Sequence, residues 1–139
     1  MKSTASTLLA DDELLRGKSA VTVVSELIKA RLTLLVVLTS MVGFYLGSAG
    51  PLDWVRLLNV SFGTAMLASG AAVLNQLLER EFDARMKRTA DRPIPSGRIT
   101  PTVALMLGAA LSLVGLTWLL LAVNPLTAIL GAATWACYV

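Results

Sequence analysis

Three apolar runs, residues 32–50, 57–78 and 102–123, restrict this chain more than any other feature of it. Each approaches the ~20 residues that carry an α-helix across a hydrocarbon core of ~30 Å. A fourth run opens at Leu126 and is still apolar at Val139. It is too short for an ordinary span, so the chain is expected to stop in mid-helix, as a fragment or a truncated gene product. Hydrophobic residues make up 55% of the sequence, charged residues only 15%, and the mean hydropathy is +0.71. That balance lies outside the range of soluble globular domains. The expected fold is an all-α membrane protein, a transmembrane helix bundle with three complete spans and a truncated fourth.

The ends of the runs carry their own markers. Thr100-Pro101 and Asn124-Pro125 each place an N-cap residue before a proline at the first helical position, where no N–H is needed. Pro51 and Trp54 fall in a short connection, and Pro93, Pro95 and Gly97 break the chain between the second and third runs. Gly43 and Gly47 form a GxxxG pair in the first run, and Ser69, Gly70, Ala71 and Ala72 line the second, as expected for close helix packing.

Cations give an orientation. Lys2, Arg16, Lys18, Lys29 and Arg31 precede the first span, and Arg80, Arg85, Lys87, Arg88, Arg92 and Arg98 lie between the second and third. Arg56 stands alone on the other side. The positive-inside rule places the N-terminus and segment 79–100 in the cytoplasm of a multi-pass protein. Residues 1–24 read as a soluble cytoplasmic tail and 25–139 as the membrane domain. Asp11, Asp12 and Glu13 argue against a mitochondrial transit peptide, and no apolar core there is long enough for a secretory signal. The net charge of +3 is no nucleic-acid signature, because the cations cluster beside apolar runs. The chain has no histidine and a single cysteine, Cys137, which excludes histidine acid–base chemistry and a multi-cysteine metal site.

The chemistry concentrates at the end of the second run. Asn75, Glu79 and Asp83 are spaced by four residues and occupy one helical face within an arc of roughly 80°. Neighbours stand about 6 Å apart, a gap that one hydrated divalent cation bridges. A solvated helix end is the plain alternative. Two like charges on one face are unfavourable without a cation between them, however, and Asn75 sits inside the apolar run, where an unpaired amide costs energy. Glu81 lies about 240° around the helix from Asn75 and is expected to pair with Arg85. The following segment, Lys87 to Arg98, serves topology, and its guanidinium groups can also grip phosphate.

Asn75-x-x-x-Glu79-x-x-x-Asp83, followed by Met86-Lys-Arg-Thr89 and Arg92-Pro93-Ile-Pro-Ser-Gly97-Arg98, resembles the first acidic motif of the UbiA-type membrane prenyltransferases. Within that superfamily the run is most similar to the haem O synthases, as is the Lys29-Ala30-Arg31 opening of the first span. The resemblance covers residues 25 to 139. It implies a nine-helix bundle in the bacterial cytoplasmic (inner) membrane, bound to Mg²⁺, that transfers a farnesyl group from farnesyl diphosphate to a vinyl group of haem b. By the same likeness Asn75, Glu79 and Asp83 are the catalytic and metal residues, and Arg88, Arg92, Lys87 and Arg31 bind the diphosphate. Glutamate stands at 79 where the superfamily has aspartate, and the second acidic motif has no counterpart here. Two alternatives stay open: a prenyltransferase of quinone-ring precursors such as 4-hydroxybenzoate, and a small four-helix membrane binding or transport protein.

Overall fold

The computed structural model describes residues 19–139, so most of segment 1–24 lies outside the described residues. Five helices follow in order: α1 Ala20–Leu27, α2 Ala30–Gly47, α3 Trp54–Arg85, α4 Pro101–Ala122 and α5 Pro125–Tyr138. No strand occurs among the described residues. α2, α3 and α4 are each long and apolar enough to cross a membrane. Both proline-headed N-caps form as expected. The Thr100 side chain accepts from Val103 N–H, and Asn124 Oδ1 accepts from Thr127 N–H at 2.7 Å. Asp53, in the short connection between Pro51 and Trp54, caps α3 by accepting from Arg56 N–H at 3.0 Å. α3 therefore starts earlier than its apolar run, and it continues past it to Arg85.

α3 is the central helix. Over half of its most apolar window, 56%, is buried, against 6% for α2. Its main partner is α4, which runs antiparallel to it along a seam of small residues opposite large ones. Gly63 faces the Leu119 side chain and Gly108 that of Leu74, each a ridge in a groove, while Gly115 faces the main chain of Leu67 and Gly63. At Gly70, too, the backbones come close: a methyl group added there would lie 2.6 Å from the Ser112 nitrogen and 2.8 Å from the Gly108 oxygen. Without a hydrophobic drive between helices in lipid, this close packing is the main source of association. α5 leans on the outer edge of the seam, where Trp135 Nε1 donates to Ser112 Oγ at 3.0 Å.

α2 is held differently. Gly43 and Gly47 have nothing within 4 Å of where a Cβ would stand, so their GxxxG pair packs no helix among the described residues. They line a cleft of about 1010 Å³ between α2, α3 and α5, whose walls include Val36, Phe44, Ala68 and Ala72. At the other end α2 is separated from α1 by Lys29, the one non-glycine residue among those described with a left-handed backbone (φ 49°, ψ 54°). Its ammonium stays 3.3 Å from the Tyr138 hydroxyl. Carbonyls at and just after the end of α1 accept from side chains. Gln76 Nε2 donates to the Glu26 and Leu27 carbonyls at 2.9 and 3.0 Å, and Thr33 Oγ1 donates to that of Ile28 at 2.8 Å. Gln76 is 1% exposed, so this contact fixes α1 to α3 in a dry environment, where unmet carbonyls are costly.

Candidate active site

The acid face forms where α3 ends. Asp83 is buried, Glu79 half exposed, and the two converge on one atom. Arg92 Nη1 donates to Asp83 Oδ2 at 2.6 Å and lies 3.6 Å from Glu79 Oε2. The cation that two like charges on one face require is thus supplied by the chain itself.

The segment after α3 folds back to deliver that guanidinium. The Thr89 hydroxyl, itself buried, donates to the Asp83 carbonyl at 2.9 Å and ends the helix. Arg92 N–H donates to the Thr89 carbonyl at 3.0 Å, and Ser96 Oγ donates to the Arg92 carbonyl at 2.6 Å. Pro93 and Ile94 are buried, and Ile94 packs with Leu27, Val73 and Ala104 in a small core. Gly97 turns the chain at φ 76°. Arg98 pairs with Asp91 and lies 3.7 Å from Glu26, tying the segment to α1. The outcome is a braced loop rather than a loose connection.

Glu79, Asp83, Arg88 and Arg92 line one cavity of about 280 Å³, together with Phe82, Met86 and Thr89. The structure therefore brings four of the expected site residues together. Asn75 is half-buried one turn earlier and does not line the cavity. It stands between cavity and cleft, since Ala68, Ala72, Asn75, Glu79 and Asp83 follow one another at steps of three or four on a single face of α3. Lys87 is exposed outside the cavity, and Arg31 is exposed at the start of α2. Glu81 approaches Arg80 at 4.0 Å rather than the expected Arg85, an exchange that costs little between solvated side chains. Thr89 and Gln76 were not picked out in the sequence. The only signal for Gln76 was an amide inside an apolar run.

Among the described residues no group of three Asp, Glu, His or Cys could hold a metal ion. Two hard carboxylates reaching one atom do suit a small divalent cation that keeps water or a phosphate in its remaining positions. The donor set fits Mg²⁺ on those terms.

The sequence matches the UbiA prenyltransferase family over residues 36–139. The chain belongs to that family. With its candidate spans, this makes it a multi-pass membrane protein. It is 43% identical over 122 residues to a protoheme IX farnesyltransferase of Solibacter usitatus, aligning 81% of this chain with 42% of that one. The corresponding enzymes of Alkalilimnicola ehrlichii and Opitutus terrae are 44% and 45% identical over 108 and 104 residues, which are 36% and 35% of their lengths. The chain thus spans under half the length of these curated relatives. No solved structure matches it.

Proposed function

We propose that residues 25–139 form the diphosphate-binding part of a haem O synthase, which joins the farnesyl group of farnesyl diphosphate to a vinyl group of haem b. The observation that carries this reading is the convergence of Glu79, Asp83 and Arg92 in a cavity that Arg88 also lines. Its relatives' names supply the acceptor and the donor.

Farnesyl transfer breaks an allylic C–O bond, and the diphosphate departs with the electron pair. The vinyl π electrons then join the outer vinyl carbon to the farnesyl carbon, and the cation left on the carbon beside the porphyrin ring is closed by a water molecule that adds its oxygen and releases a proton to solvent. Positive charge placed in advance around the leaving group lowers the barrier. Arg88 and Arg92 are suited to this, because a guanidinium binds phosphate oxygens in pairs and the loop's hydrogen bonds hold Arg92's backbone in place. Glu79 and Asp83, with Asn75 one turn away, would hold Mg²⁺, which when bound supplies Lewis-acid neutralisation of phosphate charge. The cleft on the same face of α3 offers an apolar, water-poor lodging for the isoprenoid tail. The cation asymmetry supports a cytoplasmic position for this face.

The test is a chimaera in which residues 25–139 replace the matching part of a full-length protoheme IX farnesyltransferase. Its membranes are assayed for haem O with farnesyl diphosphate and Mg²⁺. Haem O should form, with Asp83→Ala lowering it by about 100-fold, the scale of losing one preorganised charge contact. Glu81→Ala should leave it within about twofold, as for an exposed residue outside the cavity. An inserted chimaera that makes no haem O, or that prenylates 4-hydroxybenzoate instead, overturns the reading.

A further inference from the structure

We infer that Arg92 is a resident cation of the acid face, and that a divalent metal binds there only by displacing its guanidinium, which then turns to the anionic ligand. The inference rests on the functional reading above and states how the metal and anion positions of that reading are coupled.

Asp83 and Glu79 meet at a single atom, Arg92 Nη1. The Asp83 side chain is only 3% exposed, and that contact is the ion pair it makes in place of water. A metal ion held by the same oxygens would sit at about 2.1 Å from each. It would then occupy the place of the guanidinium nitrogen, and two cations cannot share it. The exchange needs no movement of the main chain. Arg92 is anchored through its own N–H and carbonyl, to Thr89 and Ser96. Its side chain retains 27% exposure and borders the cavity beside Arg88. A displaced guanidinium therefore remains where an oxyanion would be gripped.

Metal and anion then help each other. The metal frees Arg92 for the anion, and the anion draws Arg92 away from the carboxylates, by the same factor in both directions. Without either, Arg92 keeps the acid face neutralised and folded.

The experiment titrates Mn²⁺, visible by electron paramagnetic resonance, into the chain in lipid nanodiscs, with and without inorganic diphosphate. In the absence of diphosphate, Arg92→Gln should bind Mn²⁺ about tenfold more tightly than wild type, the scale of removing a close competing charge. Arg92→Lys, a point charge on a shorter reach, should tighten binding about threefold. Mn²⁺ should raise the Tm of Arg92→Gln more than that of wild type, and the enhancement by diphosphate should shrink. Should the glutamine variant fail to fold, the lysine variant decides. Equal or weaker Mn²⁺ binding in the Arg92 variants, with binding lost in Asp83→Asn, overturns the exchange and leaves the functional reading standing. No Mn²⁺ binding in any form, wild type included, overturns the metal reading and the exchange with it.

Discussion

The two flanks of α3 use glycine to opposite ends. On the α4 side, Gly63, Gly70, Gly108 and Gly115 bring two backbones together until a single methyl group would strike main-chain or leucine atoms. On the α2 side, Gly43 and Gly47, with the spacing that marks helix association, touch nothing and leave a cleft of about 1010 Å³. The residue type is shared, with a spacing of four on the open flank and of seven on the packed one. The difference is whether atoms of the partner helix fill the notch, as the Leu74 and Leu119 side chains do on one flank. A small-residue motif specifies a groove, and only the facing ridge decides whether it becomes a contact or a space.

The sharpest way to break this contrast is the same substitution on both flanks. Gly115→Ala would put its methyl 2.5 Å from the Leu67 nitrogen and 2.9 Å from the Gly63 oxygen. Backbone cannot step aside as a flexible side chain can, so a loss of about 3 kcal/mol is expected in detergent unfolding titrations. Less than about 1 kcal/mol would mean that the seam is looser than its geometry. Trp135→Phe should cost about 1 kcal/mol, because it removes the hydrogen bond to Ser112 that holds α5 against the seam. Tryptophan-to-seam crosslinking or the same titration would detect it. Gly43→Ala, with open space around it, should be neutral or stabilise by up to about 1 kcal/mol through helix propensity. A marked loss there would show that α2 packs on something its described neighbours do not provide.

The sequence made some features plain and hid others for definite reasons. The spans and the capped starts at Thr100 and Asn124 follow from local chemistry, and so appear in the residue order. The meeting of Glu79 and Asp83 follows from a spacing of four on any helix. Arg92's place between them could not be read that way. It depends on Thr89 ending the helix, on Ser96 holding the Arg92 carbonyl, and on Ile94 being buried against Leu27 and Ala104. The first two are local turns, and the last joins Ile94 to Leu27, far away in the chain. α1, at eight residues, is too short to stand out as a span, and its fixture to α3 is one glutamine forty-nine positions from its acceptor. The left-handed Lys29 has no local signal either, since lysine rarely takes that conformation.

The length of α3 has a consequence for how ligands arrive. Thirty-two residues make a rod of ~48 Å, some 18 Å more than a hydrocarbon core of ~30 Å can cover. The charged end of the rod, Glu79 to Arg85, is the part that lipid tails exclude, so on the functional reading proposed above the acid cavity would stand in the headgroup layer and the cleft on the same face below it. An amphiphile dissolved in the bilayer reaches both without leaving the membrane, by diffusing in two dimensions. Its occupancy is then governed by its mole fraction among the lipids. Diluting the membrane with inert lipid, at constant bulk concentration, would empty the site as surely as removing the ligand.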